Sequence, residues 1–291
     1  MKTYIKIPFI GAILFIILLF SCVMPLRDTG SPKPYLYPGQ QTIQDIDSAH
    51  AWARTHRANS VFAVETVVTA DLQVFDNPEK TGKPLFHSRK VIKQSTGAGT
   101  VIAEGYLISV KHLVDDTDSL EKIQKMAAGI EKDNPGKYIT AKIISEYSLI
   151  DSRGKSFFAS VVAVDKNDLS LLKVKNPERF QYPPIEVSRK KYFSDESIIA
   201  IGSPLGVKNV ITDGKIARRD LEKMNDGGEY LYLVAPIVPG NSGGPVLTLG
   251  DMKMVGVVSM VMVEQSSLTD IAMVVPNTVI NKFLDRELPK K

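Results

Sequence analysis

The sequence predicts an all-β protein built as one large closed barrel or as two smaller ones. Three observations carry that prediction. Short apolar, β-branched segments recur through the body of the chain, separated by Gly, Pro, Asn and Asp turn signals. Helical periodicity is confined to Ser119–Lys132, where Leu120, Ile123 and Met126 repeat at helical spacing, and to the tail Val279–Leu288. A single cysteine among 291 residues rules out an internal disulfide framework and a Cys-rich zinc site, so burial and hydrogen bonding must hold the fold. A composition of 44% hydrophobic and 23% charged residues suits a chain that buries a real core. The net charge of +4 is too small to argue for a nucleic-acid partner.

The chain opens as an export signal. Lys2 and Lys6 precede the apolar run Ile10–Phe20, and the next charge is Arg27. The run is short for a membrane-spanning helix, which needs about 20 residues. Leu19-Phe20-Ser21-Cys22 resembles a bacterial lipobox, which makes residues 1–21 a signal peptide and Cys22 the lipid anchor. The competing reading keeps residues 7–26 as an uncleaved anchor helix. Either one exports the chain and tethers it to a membrane. Pro25, Pro32, Pro34 and Pro38 with Gly30 and Gly39 then favour an extended spacer, so residues 22–59 read as a tether.

From Val61 the texture is β. Strands are expected at 61–72, 100–110, 157–164, 169–174, 197–201, 230–234 and 254–263. Residues 76–93 and 115–136 read as solvated insertions, the second carrying the helix. Arg189-Lys190-Lys191 reads as a solvated turn, and Met252, Met254, Met260 and Met262 as strand packing.

The strongest chemical signal is Gly240-Asn241-Ser242-Gly243-Gly244-Pro245. Glycines around one Ser suit a backbone that turns sharply, exposes a hydroxyl and aims successive N–H groups at one spot, as acyl transfer requires. A tight hairpin turn is the plainer alternative. The stretch also fits G-x-S-x-G, but that arrangement needs a His after the Ser, and the last His in the chain is His112. A strand-like Val246-Leu247-Thr248 also follows where a helix should. The remaining order is His, Asp, Ser. His112 follows an apolar strand, whereas His50, His56 and His87 have no comparable setting. Asp168 lies in a turn between two apolar strands, with Asp165 as its local competitor, and side-chain turn formation explains either residue equally. Gly97-Ala98-Gly99 lacks the third glycine of a dinucleotide fingerprint and the Lys-Ser/Thr of a P-loop. No cofactor and no metal are expected.

Ordered stretches resemble the protease domain of the HtrA/DegP family of chymotrypsin-like serine peptidases. They are Gly97–Ile102 with Gly105–His112, Asp165–Val174, Ala200–Gly206, Pro239–Pro245 and the closing Ile271–Pro276. The resemblance covers roughly residues 60–289, most of the mature chain. It implies two six-stranded antiparallel β-barrels with a C-terminal helix, and an active site between the barrels. It also implies a catalytic triad of His112, Asp168 and Ser242, with the N–H groups of Gly240 and Ser242 forming an oxyanion hole. Ser259 resembles the family position that supports the catalytic Asp beside the substrate strand. Ile237, Val258 and Met260 flank the expected primary pocket, where the absence of an acidic residue points to small or apolar substrate side chains rather than Arg or Lys.

Some positions depart from the pattern. Lys111 stands where a small residue is usual, and Val238 replaces a polar one. Asn241 cannot make the ion pair by which zymogen-activated relatives switch on. No PDZ domain is expected after the closing strand and helix. The resulting expectation is an exported, membrane-anchored serine endopeptidase of the cell envelope that acts on polypeptides, with homo-oligomers implied by analogy. The alternative is a catalytically inactive protease-like binding module.

Overall fold

The computed structural model describes residues 45–204, 207–217, 222–223, 228–264 and 267–289. The signal peptide, the lipobox with Cys22 and the anchor-helix alternative all lie outside these residues. Among the described residues no helix is long and apolar enough to cross a membrane.

The described chain begins with helix α1 (Ile46–His56), where an extended spacer was expected. The Asp45 carboxylate caps it by accepting Ser48 N–H at 2.7 Å, a standard N-cap contact. Ala49 and Ala53 are fully buried, and Trp52 packs on the main core. The folded body therefore starts before Ser60, because the helix has an apolar stripe that the barrel covers.

Six strands then close the first barrel: β1 (Val61–Phe75), β2 (Phe86–Ala103), β3 (Tyr106–Ser109), β4 (Tyr138–Ile150), β5 (Ser156–Asp165) and β6 (Leu169–Val174). Their order around the barrel is β1-β2-β3-β6-β5-β4, and every pairing is antiparallel. The expected single strand 100–110 is a hairpin: Gly105, at φ +70°, makes the tight turn between β2 and β3. In β5 the two-residue period of a strand shows directly: Phe157 and Ala159 point inward while Phe158, Val162 and Val164 face out.

Helix α2 (Lys111–Val114) is a single turn, and helix α3 (Thr117–Asp133) follows it. Strands β1, β2 and β4 overrun the barrel as a three-stranded arm, and α3 lies on one face of it. Ala70, Leu72 and Ile123 form a small satellite core there, with Ile92, Met126, Ile130 and Ile143 against them. The two insertions expected to be solvated thus carry strand and core. Of the helical repeat, Ile123 is buried but Leu120 faces solvent.

The second barrel comprises β7 (Ser197–Gly202), β8 (Val210–Ile216), β9 (Glu222–Lys223), β10 (Glu229–Val234), β11 (Pro245–Thr248), β12 (Met254–Glu264) and β13 (Ser267–Pro276). The order β13-β12-β11-β7-β8-β10 closes through β10–β13 pairing, leaving a six-stranded ring with the two-residue β9 beside β10. Strands β4 and β8 escaped the sequence reading because both are half-exposed and polar on one face.

Helix α4 (Asn277–Glu287) ends the described chain. Its Val279, Ile280, Phe283 and Leu284 enter a core that also contains Phe62, Leu107 and Leu171 of the first barrel and Ile199, Leu247 and Val257 of the second. One continuous apolar cluster therefore spans both barrels, and this cluster holds the facing loops of the two barrels in a fixed relation. Met252 and Met254 belong to it, whereas Met260 and Met262 are exposed. Arg189 and Lys190 pair with Asp285 at 2.9 Å and Asp251 at 3.3 Å rather than standing free in a turn.

Candidate active site

His112 lies on α2, two residues beyond the end expected for its strand. Its own N–H donates to Asp168 Oδ1 at 3.0 Å, and its Nδ1 lies 2.9 Å from Asp168 Oδ2. An ionised carboxylate only accepts, so the Nδ1 carries the proton and Nε2 is left with a lone pair. The Asp168 backbone is left-handed at φ 56°, and its carbonyl accepts Lys111 N–H at 3.1 Å. This conformation is uncommon for a residue other than Gly and is tolerated best by Asn and Asp. It turns the carboxylate toward α2.

The third donor to Asp168 is Ser259 on β12, whose Oγ lies 2.5 Å from Oδ2. Ser259 is fully buried and the Asp168 side chain is 13% exposed, so the carboxylate is held by three hydrogen bonds largely out of water.

Asp165 is engaged elsewhere. It accepts Asn167 N–H at 2.9 Å and the guanidinium of Arg286, on α4, at 2.8 Å. Burial pushes its carboxyl up, but Arg286 and Asn167 outweigh that and hold it below the usual carboxylate range. Asn167 Oδ1 in turn accepts Glu229 N–H of β10 at 3.2 Å. The turn carrying Asp168 is thus tied to α4 and to β10 of the second barrel. Nothing in the sequence links Arg286 to Asp165 across 121 positions.

Ser242 sits in the loop between β10 and β11. Val238-Pro239-Gly240-Asn241 forms a turn closed by Asn241 N–H donating to Val238 O at 3.1 Å, with Gly240 at φ +100°, the arrangement of a type II turn. The loop is clamped by both barrels. Ala98 N–H donates to Ser242 O at 2.7 Å, and Gly243 N–H donates to Val258 O at 2.7 Å. Gly243, at φ +90°, lies against the Ala98 carbonyl so closely that a Cβ would collide with it. Among the described residues, the N–H groups of Gly240 and Ser242 donate to no acceptor. Two N–H groups without partners on either side of Asn241 are the kind of donors that a developing oxyanion needs.

His112, Asp168, Ser242 and Ser259 all line one open cleft of about 750 Å³. No hydrogen bond joins Ser242 to the His112 side chain among the described residues. In ligand-free enzymes such catalytic contacts are often long and shorten in the substrate complex.

Of the three residues expected to flank the primary pocket, Met260 lines the cleft and is 38% exposed, with Val261, Val263 and Leu268 beside it. Ile237 and Val258 are each 1% exposed and belong to the core of the second barrel. Lys111 also lines the cleft, its charge paired with Asp115 at 3.5 Å. Asn241 is buried, and its Oδ1 has no partner among the described residues.

Comparison with known proteins agrees with the fold. Residues 97–257 match the family described as a trypsin-like peptidase domain. A protein of Chlamydia pneumoniae named "Probable periplasmic serine endoprotease DegP-like" is 25% identical over 216 residues, 73% of this chain and 37% of that one. One of the same name from Rhizobium meliloti is 27% identical over 195 residues, 66% of this chain and 33% of that one. The chain thus spans about a third of the length of these relatives. Among solved structures, the HtrA-type protease AlgW with a decapeptide superposes with a TM-score of 0.56 at 20% identity, covering 81% of this chain and 66% of that one. That likeness speaks for the fold.

Proposed function

The chain belongs to the trypsin-like peptidase family, and from that premise we propose that it is a serine endopeptidase working through His112, Asp168 and Ser242. The supporting observation is the Asp168 carboxylate. It joins one barrel's imidazole to the other barrel's Ser259, and Ser242 with two partnerless N–H groups stands across the same cleft. In this reading Ser242 Oγ attacks the scissile carbonyl and His112 Nε2 takes its proton. Gly240 and Ser242 N–H stabilise the oxyanion, and the imidazolium then protonates the leaving amine. Asp168 holds the imidazole in the Nδ1-protonated tautomer and stabilises its cation.

The substrate is an extended polypeptide. Strand β11 pairs with β12 only through Val257, so from Ser259 onward β12 has β13 on one side and the cleft on the other. An extended segment can add there as a further strand, with Met260 and Val261 offering apolar contacts. Small or medium apolar side chains next to the scissile bond fit these neighbours. Asn241 in place of an acid goes with a site that needs no freed N-terminus to assemble.

The relatives' periplasmic naming and the N-terminal pattern support an exported enzyme of the cell envelope. Residues 1–21 act as its signal, Cys22 or an anchor helix ties it to the membrane, and the protease domain follows the tether. The test is covalent labelling of the full chain with a fluorophosphonate probe beside Ser242→Ala. Labelling of the wild type alone is expected. A folded wild type that takes no label overturns the reading and makes the protein a protease-like binding module.

A further inference from the structure

Helix α2, which carries His112, is too short to hold itself together. The last four carbonyls of any α-helix lack intrahelical donors, and here that is nearly the whole element. Only Lys111 O is served from within, by Asp115 N–H at 2.8 Å. Side chains of the first barrel supply the rest. His112 O accepts from Lys93 Nζ at 3.2 Å, and Asp115 O accepts from the same ammonium at 2.5 Å. Leu113 O accepts from Ser95 Oγ at 3.1 Å, and Val114 O accepts from Tyr147 OH at 3.2 Å.

These donors share one sheet face. Ser95 on β2 and Tyr147 on β4 both stand opposite Thr66 of β1, and Lys93 stands opposite Val68, two positions along. Burial pushes the Tyr147 phenol up, which keeps its O–H a donor. Lys93 makes no ion pair with a carboxylate among the described residues, and its charge is directed at the two carbonyls. The turn is therefore pinned at both ends, by Asp168 at its N–H groups and by this face at its carbonyls.

We infer that Lys93 is a positioning residue of this site: its ammonium bridges the carbonyls of His112 and Asp115 and so sets where the imidazole stands. The inference rests on the endopeptidase reading above. A charged donor forms a stronger bond than the neutral hydroxyls of Ser95 and Tyr147, and it alone touches the carbonyl of His112 itself. Near-attack geometry is steep: a displacement of about 1 Å costs about a hundredfold in rate.

The experiment compares the full chain with Lys93→Met, which keeps the apolar stem but removes every donor, and Lys93→Arg, which restores them. Peptide turnover in Lys93→Met should fall about 10- to 100-fold in kcat, with KM within about twofold, and Lys93→Arg should recover most of it. A second readout does not need turnover. The low-field Nδ1–H proton resonance of His112, assignable among four histidines, should broaden or vanish in Lys93→Met and return in Lys93→Arg. Unchanged kcat and an unchanged His112 resonance in folded Lys93→Met overturn the inference. If Lys93→Met does not fold, Ser95→Ala and Tyr147→Phe decide it. A graded loss of the same kind supports the carbonyl clamp, and wild-type behaviour in both overturns it. A wild type without turnover retires the endopeptidase reading, while the resonance still judges the clamp.

Discussion

Replacing Ser259 by Ala removes one hydroxyl from a fully buried position and leaves Cβ in place. Asp168 then loses one of its three hydrogen bonds and keeps the two from His112. A hydrogen bond to a charged group contributes about 1.5–3 kcal/mol, and the carboxylate has little water to replace it, since its side chain is 13% exposed. Global stability should fall by about that amount, which lowers Tm by about 3–12 °C for a domain of this size. The catalytic effect is smaller. A carboxylate with one donor fewer pairs more strongly with the imidazolium, which offsets part of the lost orientation. If one half of the energy is expressed in the transition state, kcat drops about 4- to 13-fold at about 1.36 kcal/mol per decade. The assay is steady-state peptide hydrolysis with kcat and KM resolved, beside denaturant unfolding. A raised KM at constant kcat would mean that Ser259 serves substrate binding. Wild-type kcat and stability together would refute the claim that its hydroxyl supports Asp168.

Three further outcomes rest on the same geometry. Arg286→Ala frees Asp165 and loosens the turn bearing Asp168, so kcat should fall several-fold, on the order of the effect of a positioning contact. No further loss is expected when Arg286→Ala is combined with Asp165→Asn, and additive losses in that double variant would show that the two residues act separately. Because the Asp165 carboxyl is held low, its contribution to stability is present above the ordinary carboxylate range and lost as pH falls through its folded value. The stability difference between wild type and Arg286→Ala should therefore close in strong acid, as thermal melts between pH 2 and 7 will read. In the cleft, Lys166 is an exposed cation with no ion-pair partner among the described residues. Lys166→Glu should shift a peptide-library profile from acidic toward basic side chains near the scissile bond, and an identical profile removes Lys166 from specificity.

Much of this site was legible in the chain because its chemistry is local. The glycines around Ser242 are required by backbone conformation, since positive φ and close approach to Ala98 admit little else. The alternation along β5 and the apolar runs of β6 and β7 follow from a strand's two-residue period. Elements with only one weakly apolar face were not legible. Strands β4 and β8 and the first half of β2 look like polar insertion until the arm and the second barrel give them a partner. Helix α1 was hidden for the same reason, its apolar stripe reading as tether until the barrel covers it.

What the sequence by itself determined is the all-β class and the glycine-framed Ser loop, because strand period and glycine conformation are properties of neighbouring residues; the pair of barrels entered only through the family resemblance. Only the tertiary structure supplies a physical reason to prefer Asp168, which the resemblance implied, over Asp165 in the same turn: His112 and Ser259 fold against the first, Arg286 against the second. Lys93, Tyr147 and Arg286 likewise gain their roles from partners many positions away. Hydrogen bonds reach about 3 Å, and a chain brings such groups that close only after the apolar cluster spanning both barrels has closed.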